Sequence, residues 1–136
     1  MPKVICAEDD KLISGSLVQG FADAGFEATP AYDGEEAIAK VKEIHPDIVV
    51  LDIMMPKLDG IGVVWELKAN PETANIPVVM LTNLSDTATV SKILEAGVTD
   101  YLLKSEQSID QIVEKTKEVL GRGAPMGGEA PKVSYS

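Results

Sequence analysis

Five short runs suited to strands punctuate this chain, and each is followed by a longer segment with helical spacing. The runs are KVICA (3–7), FEATPAY (26–32), DIVVLD (47–52), PVVML (77–81) and DYLL (100–103). DIVVLD and PVVML are apolar almost without interruption. A strand that is apolar on both faces belongs to a parallel sheet with helices covering each side. FEATPAY is more polar and contains Pro30, which fits a strand nearer the sheet edge.

The intervening segments supply the cover. KLISGSLVQGFADAG sets Leu12, Ile13, Leu17, Val18 and Phe21 at helical spacing, and Gly25 suits its stop. DGEEAIAKVKEI offers Asp33 as an N-cap with Glu36 three residues on, and Ala37, Ile38, Val41 and Ile44 form its apolar stripe. GIGVVWELKA ends at NPETANIP, and SDTATVSKILEAG ends at Gly97. SIDQIVEKTKEVLG opens on a Ser108–Gln111 capping pair and lines up Ile109, Ile112, Val113, Thr116 and Leu120. Right-handed crossovers between such units predict an α/β fold: a doubly wound, five-stranded parallel sheet flanked by five helices.

A chain of 136 residues supports one domain with a real core. Residues 1–121 account for the alternation. Residues 122–136, RGAPMGGEAPKVSYS, are rich in Gly and Pro and are expected to form a flexible C-terminal tail. The 22 acids and 12 bases leave a net charge of -10, which repels nucleic acid and anionic lipid. No apolar run reaches the ~20 residues of a membrane span, and MPKVICAEDD lacks the layout of a signal peptide. A cytoplasmic protein is therefore expected. One cysteine, Cys6, and one histidine, His45, exclude an internal disulfide and give no support to a thiolate zinc site or a Cys–His pair. Cys6 reads as a small buried strand residue, and His45 as an exposed residue at a helix end.

In a sheet of this kind the ligand crevice lies beyond the carboxyl ends of the strands. The first strand ends in Glu8, Asp9 and Asp10, the third in Asp52, the fourth in Thr82 and Asn83, and the fifth in Lys104 and Ser105. Asp10 alone reads best as a helix cap. Taken together, clustered carboxylates suit a hard divalent cation such as Mg²⁺. A carboxylate can also act as a nucleophile toward phosphorus, while an ammonium and a hydroxyl hold the remaining phosphoryl oxygens. Neither GxxxxGK[ST] nor GxGxxG is present, so a Gly-rich phosphate loop is not the device here.

VICAEDD, PDIVVLDIMMPKLDG, IPVVMLTN and AGVTDYLLKS, in this order and spacing, resemble the receiver domain of bacterial two-component response regulators over about Met1 to Gly121. The resemblance implies a flavodoxin-like sheet of order 2-1-3-4-5. It implies Asp52 as phospho-acceptor, with Glu8 and Asp9 holding Mg²⁺ together with Asp52 and the backbone carbonyl of Met54. Thr82 corresponds to the hydroxyl that moves onto the phosphoryl group, Lys104 to the phosphate-pairing lysine, and Tyr101 to the aromatic switch. The implied phosphodonor is a histidine kinase or a histidine phosphotransfer protein. The implied output is a contact with a downstream protein through the face of helix four, strand five and helix five, in a stand-alone, chemotaxis-regulator-like monomer or weak dimer that assists only its own phosphorylation and dephosphorylation. The exposed part of helix one, near Ile13 and Leu17, is the kinase-facing region that the resemblance implies.

Three departures from that pattern carry expectations. Ser105 stands where the family usually has a cis proline. A cis bond to a residue other than proline costs ~2.5–4 kcal/mol, so the Lys104–Ser105 bond is either strained cis or relaxed trans. Asn83 follows Thr82 where a smaller residue is common, and narrows the approach. Met54 and Leu84 are apolar at positions flanking the acceptor, which predicts slow loss of the phosphoryl group by exclusion of water. Two other readings compete: a phosphorylation-independent binding module, and an aspartyl phosphohydrolase. The second requires an acid two residues after the nucleophile, where this chain has Met54.

Overall fold

The computed structural model describes residues 1–83 and 87–121. Five strands alternate with five helices: β1 (Lys3–Ala7), α1 (Lys11–Asp23), β2 (Glu27–Ala31), α2 (Gly34–Ile44), β3 (Ile48–Asp52), α3 (Gly60–Ala69), β4 (Val78–Thr82), α4 (Thr87–Ala96), β5 (Asp100–Leu103) and α5 (Ile109–Gly121). All pairings are parallel, and the sheet order is β2-β1-β3-β4-β5. Pro30 lies on the edge strand β2, as its missing donor requires.

The two-residue period of the strands divides the core in two. Val49 and Leu51 of β3 face the side covered by α2, α3 and α4, where Val41, Val64, Leu67 and Ile93 are buried. Ile48 and Val50 face the side covered by α1 and α5, with Leu17, Phe21, Val113 and Val119. Every residue of β3 and of β4 is buried, which explains their uninterrupted apolar sequence. Phe21 and Phe26 meet edge to face at 5.0 Å and 79°, closing the turn from α1 into β2.

Caps fall where the sequence places them. Asp10 accepts from the N–H groups of Leu12 and Ile13, and Asp33 accepts from that of Glu36. Ser108 and Gln111 exchange reciprocal hydrogen bonds. Gly25 and Gly97, just past α1 and α4, hold φ of 94° and 91°, where a side chain is disfavoured. His45 is exposed and caps α2 in the left-handed region. Among the described residues no helix is long and apolar enough to cross a membrane.

The α1 stripe differs from expectation. Its buried line is Ser14–Leu17–Phe21, so Leu12, on the opposite side of the helix, is 84% exposed. Leu17 is buried and Ile13 is partly buried against the same core, while Lys11, Leu12, Gly15 and Ser16 around them are exposed. Among the described residues no peptide bond is cis, so the Lys104–Ser105 bond is trans and the strained alternative is overturned. The expectations for Leu84 and for the 122–136 tail lie outside the described residues.

Candidate functional site

The parallel sheet brings the last residues of β1, β3, β4 and β5 to one edge, beside the strand-order reversal between β1 and β3. Asp52 is the final residue of β3 and is only 4% exposed. The carboxylate thus sits at the strand end, yet it is enclosed rather than lying open at the rim. Its Oδ1 accepts a 3.3 Å hydrogen bond from the Met54 backbone N–H, and its Oδ2 accepts one of 2.8 Å from Lys104 Nζ.

Glu8 directly follows β1. Its backbone N–H continues the ladder by donating to the Ala31 carbonyl at 2.9 Å, which draws the side chain into the fold. The residue is 1% exposed. Oε2 accepts from the Asp10 backbone N–H at 2.9 Å, and Oε1 accepts from Lys104 Nζ at 2.5 Å. Lys104 leaves β5 at the start of a short 3-10 turn, Lys104–Glu106, so its ammonium reaches across the sheet end to both carboxylates. Burial raises the Glu8 pKa above the usual carboxylate range, against the opposing pull of Lys104 and the Asp10 amide. Burial alone would depress Lys104, but the hydrogen bonds and charges of Asp52 and Glu8 outweigh it and hold its pKa above the ordinary lysine range.

Asp9 is exposed beside this pair. One carboxylate oxygen from each of Glu8, Asp9 and Asp52 lies within 4.8 Å of the others, a set of hard oxygen donors open on the Asp9 side. Thr82 ends β4, is fully buried, and pairs in register with Leu103, the residue before Lys104. Asn83 is exposed next to it. Tyr101 pairs with Met80 and is packed, half-buried, against the core on the α2–α3–α4 side. Met54 is 65% exposed, so its side chain does not cover Asp52 in this structure.

The support of the loop after Asp52 escaped the sequence reading. Ile53 N–H donates to the Leu81 carbonyl at 3.0 Å, and Gly60 N–H donates to the Ile53 carbonyl at 2.9 Å, closing the loop at its base. Further out, Lys57 Nζ lies 3.6 Å from Asp33 Oδ2 at the start of α2. The adjacent PK and DG pairs in the sequence signal a turn, but not what it rests on.

The chemistry of the set is clear. A buried carboxylate is paired with a cation able to neutralise added negative charge, beside two more carboxylates able to share a divalent ion. Residues 4–117 match the response regulator receiver domain family. Among curated proteins, the chain is 39% identical over 121 residues to the transcriptional regulatory protein PrrA of Mycobacterium leprae, covering 89% of this chain and 51% of that one. It is 41% identical over 102 residues to the probable transcriptional regulator ycf27 of Porphyridium aerugineum, covering 75% and 41%. The chain thus spans about half, or less, of the length of these relatives. Among solved structures, the receiver domain of the Francisella response regulator 1452 superposes with a TM-score of 0.82 at 35% identity, covering 90% of this chain and 99% of that one. The chemotaxis response regulator CheY4 of Vibrio cholerae gives 0.82 at 26% identity, covering 88% and 98%. The chain belongs to the response regulator receiver domain family.

Proposed function

We propose that residues 1–121 form a phosphorylation-controlled switch in which Asp52 is the acceptor. The observation that carries this reading is the clasp of Asp52 by Lys104 inside a cluster with Glu8 and Asp9. A phosphohistidine on a histidine kinase or a histidine phosphotransfer protein is the donor that fits. An Asp52 oxygen forms the new O–P bond while the P–N bond breaks, and the imidazole leaves with the electron pair. Lys104 stays within reach of the added oxygens and offsets their charge.

Glu8, Asp9, Asp52 and the Met54 carbonyl are the groups that would hold Mg²⁺. The donor set fits such an ion: three carboxylates converge, and Lys104 alone leaves them with net negative charge. When bound, Mg²⁺ supplies charge neutralisation at the phosphoryl oxygens. Thr82 stands ready at the end of the neighbouring strand to donate its hydroxyl to the phosphoryl group. Its movement would free space behind it for Tyr101, coupling Asp52 to the face of α4, β5 and α5. The Asp100–Lys115 ion pair at 3.5 Å joins β5 to α5 on that face, and Leu94 of α4 is 60% exposed. A downstream protein docking there would read the state of Asp52.

Intact mass after incubation with Mg²⁺ and a small phosphodonor tests the reading. A single phosphoryl adduct, absent in Asp52→Ala, is expected. Continuous donor turnover without an adduct would indicate a phosphohydrolase instead, and no reaction would indicate a binding module.

A further inference from the structure

The loop that follows Asp52 does not stand by itself. Its outer half, Pro56 to Leu58, rests on the first turn of α2. Gly34 N–H donates to the Pro56 carbonyl at 3.4 Å. A Cβ placed on Gly34 would lie 2.7 Å from the Leu58 carbonyl carbon and well inside contact distance of its oxygen. Those are backbone atoms, so a side chain at position 34 forces the loop itself to move. The inner end is fixed in the same way. A Cβ on Gly60 would lie 2.5 Å from the Asp52 carbonyl oxygen and 2.8 Å from the Ile53 Cα. Between these two close approaches Lys57 is held at φ 70°, a left-handed conformation that is rare outside glycine.

We propose that Gly34 is a positioning residue for the phosphorylation centre. It has no side chain because the Leu58 carbonyl must seat against α2, and that seat fixes the path of residues 53–59. The same path aims the Met54 N–H at Asp52 Oδ1, and it carries the Met54 carbonyl that the reading above assigns to Mg²⁺. Gly34 touches neither group. It acts through the backbone between Leu58 and Met54, a segment clamped at both ends. The inference rests on the Mg²⁺ reading of the cluster.

Amide chemical shifts of Glu8 and Met54 during a Mg²⁺ titration test it without phosphorylation. Gly34→Ala is expected to weaken Mg²⁺ binding about tenfold, the scale seen when supports of metal ligands are removed. Lys57→Ile is the second variant, because Lys57 is exposed and a β-branched residue resists φ near 70°. It is expected to weaken binding in the same direction. Loss of a positive charge by itself would strengthen cation binding, so a weakening reports a displaced loop path, through the disfavoured φ and the lost ion pair to Asp33. Val41→Ala, which hollows the core under the same helix from a position outside residues 53–59, is expected to lower stability and leave Mg²⁺ affinity unchanged. If wild type binds Mg²⁺ and Lys57→Ile binds it equally well, the positioning role is overturned while the metal reading stands. The role is equally overturned if Val41→Ala weakens binding as much as the loop variants. If wild type shows no Mg²⁺-dependent shift at either amide, the metal reading fails and the inference with it. Should Gly34→Ala not fold, Lys57→Ile decides alone.

Discussion

Lys104 Nζ lies 2.8 Å from Asp52 Oδ2, although 52 residues separate the two in the chain. The same ammonium also holds Glu8, so one cation sits between two carboxylates that are each almost wholly buried. Lys104→Met leaves two like charges enclosed with no counter-charge between them. Breaking such a pair from one side is expected to cost about 3 kcal/mol of folding stability. Urea denaturation at neutral pH measures it, and Mg²⁺ should return part of the loss by binding only the folded form. An unchanged midpoint would mean that the ion pair contributes little.

Met54 lies two residues beyond Asp52, the proposed acceptor, with its side chain 65% exposed. A thioether there cannot orient an attacking water, whereas an amide can. Met54→Asn is therefore expected to speed loss of the phosphoryl group about fivefold, a modest share of what a positioned polar side chain can supply. Timed decay of the phosphorylated protein checks this. Equal decay rates would show that enclosure of Asp52 by other groups, rather than Met54, sets the lifetime.

Cys6 is fully buried in the middle of β1, and burial pushes its thiol from near 9.0 up to about 12. At pH 8 the native thiolate is then scarcer by a factor on the order of a thousand than in an exposed thiol, and thiol reagents react through the thiolate. Labelling should follow global unfolding and not native exposure. The linkage has a definite sign. The folded pKa is raised, so the stabilisation is complete below the unfolded value near 9.0 and declines as pH rises toward 12. Cys6→Ala should lose less stability than wild type across that interval.

Ser14 lies on the buried line of α1, and its hydroxyl has no hydrogen-bond partner among the described residues. Ser14→Ala removes an unsatisfied buried oxygen and improves helix propensity. A gain of about 1 kcal/mol is expected. A loss on thermal or chemical denaturation would indicate a partner for this hydroxyl in solution.

Most of the architecture was legible because burial on both faces leaves a simple trace. β3 and β4 are enclosed from end to end, and IVVLD and VVMLT have no room for polar residues until the strands emerge. The site was legible for the same reason: Asp52, Thr82 and Lys104 stand where apolar runs stop, and a parallel sheet sends those stops to one edge. α1 was harder. Its buried line passes through Ser14, which carries no hydrophobic signal, while Leu12 carries a strong one and faces solvent. Apolar spacing alone cannot tell which side of such a helix meets the sheet. The trans Lys104–Ser105 bond could not be chosen in advance, since it depends on whether Lys104 reaches Asp52 without a cis turn, and it does. The seat of Leu58 on Gly34 joins residues 24 apart through backbone atoms, and backbone contacts leave no pattern beyond a glycine.

The central claim is that Asp52, and no other carboxylate of the cluster, takes the phosphoryl group. Borohydride reduces an acyl phosphate to an alcohol and leaves free carboxylates intact, so it marks the acceptor permanently. After treatment with Mg²⁺ and a small phosphodonor, reduction and peptide mass mapping should find homoserine at position 52 alone. Reduction at Glu8 or Asp9, or a phosphoryl adduct that borohydride does not touch, would contradict the account.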